Sequence, residues 1–92
     1  DADLLFDVRF LPNPYFDEIL RPGTGLEAAV SDYVLKSERG GAFLERLRGF
    51  VTYLLPFYDE EGKAYVTIGI GCTGGRHRSV AMAEAIAAHL RE

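Results

Sequence analysis

Near its C-terminus this chain has an apolar segment that runs into a glycine-rich loop and then into a helical pattern. It reads Val66-Thr67-Ile68-Gly69-Ile70-Gly71-Cys72-Thr73-Gly74-Gly75-Arg76-His77-Arg78-Ser79. A helix N-terminus carries partial positive charge and unpaired N–H groups, so acidic residues normally occupy it. Three basic residues stand there instead, which is favourable when something negative lies among them. The pattern predicts a strand–loop–helix site for a phosphate or similar oxyanion.

The length and charge of the chain limit the kinds of protein to which it can belong. A chain of 92 residues with 48% hydrophobic residues is typical of one small globular domain. The net charge is −4, so the basic surface of a nucleic-acid-binding domain is missing, and the positive charge is local instead. One cysteine excludes an internal disulfide and fits a reducing cytoplasm, where we expect the protein. The chain starts at Asp1 without a methionine, so we expect it to come from a longer protein.

Periodicity predicts the order β-α-α-β-α, a small α/β domain with a short parallel sheet. Strands are predicted at residues 4–10 and 65–71, with a long loop at 11–25 between the first strand and the first helix. Helices are predicted at residues 26–36, from 42 to a stop or kink at Pro56, and at 78–90; Gly40 and Gly41 should separate the first two. The residues expected to face the core in the first and last helices are Leu26, Val30, Tyr33 and Val34, and Val80, Ala83, Ile86, Ala87 and Leu90.

The topology places two polar segments at one edge of the sheet. Ligands of open α/β sheets bind beyond the carboxyl ends of the strands, which here lead into residues 9–13 and 72–79. We therefore expect these segments to meet. Two strands make a thin sheet, so a further strand or a partner chain should complete it, and a homo-oligomer is expected.

The loop itself supplies the groups that hold a phosphate. Gly74 and Gly75 let backbone N–H groups approach a ligand, while Thr73 and Ser79 offer hydroxyls. Arg78 offers a planar fork that matches phosphate oxygens. The structural alternative is a glycine turn capped by Ser79 with solvated arginines.

Cys72 and Arg78 also satisfy the pattern C-x5-R, followed by Ser79. This spacing resembles the phosphate loop of cysteine-dependent phosphatases, in which a thiolate attacks phosphorus. The helix terminus and its cations would lower the pKa of the thiol. Gly71 stands where those enzymes usually have histidine, and only Asp7 and Asp17 are candidates for the leaving-group acid. Catalysis by Cys72, Arg78 and Asp7 is therefore the alternative, and no catalytic residue is assigned in the main interpretation.

Four residues outside the Cys72–Gly75 loop and the Arg78–Ser79 pair also belong to the candidate site. Asp7 and Arg9 lie on one strand face, where they either pair with each other or contact a ligand, with Arg9 on the anion and Asp7 orienting a cation. Asn13, between two prolines, can contact a hydroxyl or simply form a turn. His77 is a ligand donor or a pH-sensitive contact. Cys72 with His77 is too sparse for zinc, so no metal is predicted.

The motifs as a whole resemble a known family. Three blocks of sequence are similar to the C-terminal domain of the RapZ family of RNase adapter proteins, also described as P-loop nucleotide-binding proteins. The blocks are Asp7 to Pro14, then Leu20-Arg21-Pro22 with Thr24-Gly25, then Ile68 to Gly75 with His77-Arg78-Ser79-Val80. The resemblance covers nearly the whole chain. It identifies residues 1–92 as one RapZ-like C-terminal domain.

The resemblance implies a ligand and partners. In that family an N-terminal domain binds ATP or GTP; its Walker motif is not in this chain, so no cofactor is expected here. Studied members use the C-terminal domain to bind glucosamine-6-phosphate and small RNAs, and so control RNA decay by an endoribonuclease. The phosphate would lie on Thr73, Gly74 and Gly75 with His77, Arg78 and Ser79, and Cys72 belongs to the same loop. Asp7, Arg9 and Asn13 would face the sugar or brace the site.

The sequence therefore predicts a sugar-phosphate sensor domain. RNA-binding members continue past the last helix into a basic tail, whereas this chain ends at Glu92, which speaks against RNA binding by the chain itself. An RNA-binding module acting through Arg21, Arg76 and Arg78 is the remaining rival beside the phosphatase.

Overall fold

The computed structural model describes residues 2–72 and 74–91, and in these ranges it contains two strands and three α-helices. Thr73, one of the predicted phosphate contacts, lies outside the described residues. The order β-α-α-β-α is confirmed. The elements are β1 (Leu4–Asp7), a 3₁₀ turn (Pro14–Phe16), α1 (Ala28–Leu35), α2 (Glu38–Glu60), β2 (Ile68–Gly71) and α3 (Arg78–Leu90).

The two strands form a parallel sheet, as predicted, in which Leu4 is opposite Ile68 and Asp7 is opposite Gly71. Both strands are shorter than the sequence predicts. The chain leaves the sheet after Val8, whose N–H donates to Gly71 O at 2.8 Å and whose side chain is completely buried. The sheet therefore ends where the two polar segments begin, and these segments meet as expected.

Gly40 does not end a helix, and the predicted glycine stop is wrong. Ser37 is the N-cap of α2, and its Oγ accepts from Gly40 N at 3.0 Å. A Cβ at Gly40 would lie 1.7 Å from Val34 O, so the glycine permits the close corner between α1 and α2. The two glycines therefore lie in the first turn of α2, where Gly40 leaves room for the backbone of α1.

The helix α2 also continues past Pro56, which it contains. Of the two predicted effects of Pro56, a helix end or a kink, the helix end is wrong. The chain leaves the helix at Gly62, whose φ of 76° is the left-handed conformation common after a helix C-terminus. α2 is the longest helix, and no helix in the described ranges is both long and apolar enough to cross a bilayer.

The core lies between the sheet and the helices, and the inward faces differ in part from the prediction. Val30, Val34 and Ile86 are buried, but Leu26 is 68% exposed and Leu90 is 43% exposed. In α3 the buried face begins with Arg78 and Ser79, because the polar start of this helix packs against the loops. The buried hydrophobic cluster consists of Val8, Leu11, Val34, Leu44, Leu47, Val51, Ala81, Met82 and Ile86.

Candidate functional site

The loop between β2 and α3 folds around the sulfur of Cys72. Ser79 N donates to Cys72 Sγ at 3.3 Å, and Ser79 Oγ also lies 3.3 Å from the sulfur. Gly74 and Gly75 have φ values of 81° and 62°, which L side chains rarely adopt. The two glycines therefore reverse the chain so that the start of α3 faces the end of β2.

These contacts change the acidity of the thiol. Burial by itself would raise the pKa of Cys72, but hydrogen bonds from the Ser79 hydroxyl, the Ser79 N–H and the Gly75 N–H, together with the charge of Arg78, outweigh it. The net effect is a pKa below the ordinary value of a thiol. The loop can thus hold a negative atom at its centre.

We expect the pH–rate profile for alkylation of Cys72 by iodoacetamide to have its midpoint below the ordinary pKa of a thiol, because these contacts stabilise the thiolate. Ser79→Ala removes the hydroxyl while keeping the N–H, so its pH–rate profile should move to higher pH. Mass spectrometry of the single cysteine measures both profiles directly. Identical midpoints in the two proteins would contradict the assigned role of the hydroxyl.

Arg78 is not the solvated residue of the structural alternative. Its side chain is only 5% exposed, and Nη1 donates to Arg9 O at 2.5 Å and to Leu11 O at 3.4 Å. The guanidinium therefore joins the start of α3 to the chain that leaves β1. Its charge reaches Cys72 while its position is fixed by backbone carbonyls.

Arg76 and His77 hold a second segment, residues 21–25, against the same helix end. Arg76 Nη2 donates to Pro22 O at 2.7 Å and its Nε to Gly23 O at 3.2 Å. His77 Nε2 lies 3.0 Å from Arg21 O, and it must be the donor because a carbonyl only accepts. A Cβ at Gly25 would lie 2.4 Å from Ala81 N, so only glycine allows this approach.

Between these segments lies an open cavity of about 580 Å³, which we call the basic cavity. Arg21 lies over the ring of Tyr15, with its guanidinium carbon 4.8 Å from the ring centre, and its Nε donates to Tyr15 O at 2.6 Å. The cavity is lined by Asn13, Tyr15, Glu18, Arg21, Pro22, Gly74, Arg76 and His77. It brings together basic residues from two segments that are far apart in the sequence, Arg21 from one and Arg76 with His77 from the other.

The predicted site residues fall into three places. Gly74, His77 and Asn13 line the basic cavity, where Asn13 Oδ1 also caps the 3₁₀ turn by accepting from Tyr15 N at 3.1 Å. Cys72 directly follows β2, and it lies against Ser79 and within reach of the charge of Arg78, the first two residues of α3. Gly75 belongs to the same loop and is exposed.

Asp7 and Arg9 lie apart from the basic cavity and pair with each other. Arg9 Nε donates to the two oxygens of Asp7 at 3.0 and 2.8 Å, with both side chains more than half exposed. Hydrogen bonds from the Arg9 side chain and backbone lower the pKa of Asp7. The pair lines a separate hollow of about 320 Å³ that includes Cys72. The pairing alternative of the sequence analysis is therefore the one observed.

Sequence reasoning missed Glu18 and Pro22 as lining residues. Their only signal was membership of an unusually long loop with Pro22-Gly23-Thr24-Gly25 at its end. Within residues 2–72 and 74–91, no group of three histidine, cysteine, aspartate or glutamate side chains is arranged to hold a metal ion.

Several known proteins are similar in sequence to this chain over almost its whole length. A protein named nucleotide-binding protein from Geobacillus thermodenitrificans is 60% identical over 89 residues, which are 97% of this chain and 30% of that protein. A nucleotide-binding protein from Nitratidesulfovibrio vulgaris is 55% identical over 92 residues, or all of this chain and 30% of that protein. The chain thus spans about three tenths of the length of these curated relatives.

The family model described as the RapZ C-terminal domain matches residues 1–92. The match extends over both strands, all three helices and the loops that form the basic cavity. This chain therefore belongs to the RapZ C-terminal domain family.

Proposed function

We propose that this domain is a regulatory sensor that binds a phosphorylated small molecule, an amino-sugar phosphate such as glucosamine-6-phosphate, in the basic cavity. The observation that carries the proposal is the charge of the cavity wall. Arg21 and Arg76 are held by backbone carbonyls and an aromatic ring, none of which neutralises a guanidinium. A phosphate supplies the missing negative charge, and guanidinium–phosphate hydrogen bonds are among the stronger polar contacts in proteins.

The size and the neutral lining of the cavity fit a small polar ligand. A volume of about 580 Å³ lies within the range of about 300–1,000 Å³ that is usual for small-molecule sites. Tyr15 adds an aromatic side chain to the lining, which suits the apolar surface of a sugar, and Asn13 adds an amide for hydroxyl groups. Gly74, in a left-handed turn at the cavity wall, lets a phosphate approach the backbone closely.

Calorimetry should show that glucosamine-6-phosphate binds and that Arg76→Ala weakens binding by about tenfold, the loss expected for one charge-assisted contact. Affinity should also fall as salt is added, because the contact is exposed. Arg46→Ala is the matched control, since Arg46 is exposed on α2 and donates only to Ala42 O of its own helix. Equal affinities for Arg76→Ala and wild type, or no binding to wild type, would sink the proposal.

In the longer protein the sensor would act beside a nucleotide-binding domain, in the cytoplasm, as part of an RNase adapter. The names of the relatives describe nucleotide binding, and the chain accounts for about three tenths of their length. RNA and an endoribonuclease would then be partners of the full protein. Arg78, one of three arginines considered for RNA, is buried and bound to carbonyls, so it is poorly placed to contact a long polyanion.

Self-association is a further part of the proposal. Leu5 in β1 is 76% exposed, and Tyr65, just before β2, is 86% exposed. A parallel sheet is normally covered on both faces. A homo-oligomer would cover this surface.

The cysteine phosphatase is retained as the second candidate because Ser79 and Arg78 lower the pKa of Cys72. Its weak point is the acid that must protonate the leaving group. Asp7 is ion-paired with Arg9 and has a lowered pKa, so it is ionised near neutral pH and holds no proton to give. Hydrolysis of an aryl phosphate that disappears in Cys72→Ser would favour the enzyme over the sensor.

A further inference from the structure

One carboxylate lies on the wall of the basic cavity. Glu18 is exposed and lines the cavity together with Arg21, Arg76 and His77. Four ion pairs occur among residues 2–72 and 74–91, and none of them includes Glu18, Arg21 or Arg76. The cavity wall therefore carries positive and negative side chains that are not paired with each other.

The positions of the cations explain why Glu18 is not their partner. Arg76 is turned towards Pro22 O and Gly23 O, and Arg21 is turned towards the backbone and ring of Tyr15. Each guanidinium is thereby held by backbone carbonyls, and Arg21 also by the Tyr15 ring, rather than by a carboxylate. Glu18 contributes a carboxylate to the lining of the same cavity, and neither guanidinium is paired with it.

We propose that Glu18 is a specificity-determining residue, which selects ligands that carry an ammonium group as well as a phosphate. The inference rests on the proposed function, since it needs the phosphate to occupy the basic side of the cavity. An ammonium group of the ligand donates to the Glu18 carboxylate while the phosphate lies against Arg21 and Arg76. A zwitterionic ligand satisfies both sides at once.

The same arrangement acts against ligands without the amine. A neutral hydroxyl in place of the ammonium gives a weaker contact, and the carboxylate then faces a phosphate of like charge across the cavity. Glu18 thus has opposite effects on two ligands that differ in one group. This opposition separates a specificity role from a merely structural one.

The test compares glucosamine-6-phosphate, glucose-6-phosphate and N-acetylglucosamine-6-phosphate in calorimetry with wild type and Glu18→Gln. Wild type should prefer the amine by about two- to fivefold, which is the effect expected of one exposed charge pair. Glu18→Gln keeps the shape and one acceptor oxygen but removes the charge. It should lose most of this preference, with the affinity for glucose-6-phosphate unchanged or slightly higher.

Glu84→Gln, on the exposed side of α3, is the control that removes one negative charge without touching the cavity. It should retain the preference of wild type. If wild type binds the three phosphates equally, or if Glu18→Gln keeps the preference, the role of Glu18 is overturned while the phosphate site stands. If wild type binds none of them, the proposed function fails and this inference fails with it.

Discussion

Replacing Gly40 by alanine is expected to destabilise the domain by about 4 kcal/mol or more, beyond the effect of most single substitutions. The added Cβ would lie 1.7 Å from Val34 O and 2.9 Å from Ser37 Oγ. The nearest of these atoms is backbone, which cannot turn aside as the end of a flexible side chain can. Relief requires α1 and α2 to separate, which exposes Val34 and Leu44 from the core. Domains of this size have total stabilities of about 5–14 kcal/mol.

Urea unfolding followed by circular dichroism measures this loss, and two other glycines of α2 serve as controls. A Cβ at Gly41 would make only an ordinary contact, 3.4 Å from Leu35 O, and a Cβ at Gly49 would meet nothing within 4 Å. Gly49→Ala should stabilise the protein by about 0.5–1 kcal/mol through its helix propensity. If Gly40→Ala is as stable as Gly49→Ala, the close corner between the helices is wrong.

Gly40 also shows where sequence patterns stop being informative. A glycine pair after an amphipathic helix indicates a helix end, but it equally permits a close backbone approach, and only the tertiary contact with Val34 decides between them. The start of α3 at Arg78 was predictable, because the glycines Gly74 and Gly75 indicate a loop and the helical pattern begins directly after it. The strand order followed from the same local patterns. These features depend on residues that are neighbours in sequence.

The candidate site was less predictable, because its contacts join distant residues. Arg76 donates to Pro22 O across 54 positions and Arg78 donates to Arg9 O across 69. A basic residue at a helix start indicates an anion site, but the sequence does not say that a backbone carbonyl takes one of its donors. Glu18 could not be placed at all, since an acidic residue in a loop is normally a solvated one.

Arg78→Ala is the second substitution with a large expected effect, because it removes a buried guanidinium that links the two halves of the site. The carbonyls of Arg9 and Leu11 would lose their donor, at a cost of about 2–3 kcal/mol in the free energy of unfolding. The chain after β1 would then be free to move away from α3. We expect phosphate binding to fall by more than tenfold, since Asn13 and the loop of Cys72 would no longer hold their relative positions.

Arg78→Lys and Arg76→Ala separate positioning from charge. Lysine keeps the positive charge but cannot reproduce the planar fork, so Arg78→Lys should recover less than half of the lost stability. Arg76 is exposed, so Arg76→Ala should weaken ligand binding while costing only about 1 kcal/mol of stability or less. Denaturation therefore ranks the three variants by stability, and calorimetry independently ranks them by ligand affinity. Arg78→Ala with wild-type stability would show that the carbonyl contacts are dispensable and that Arg78 does not align the cavity.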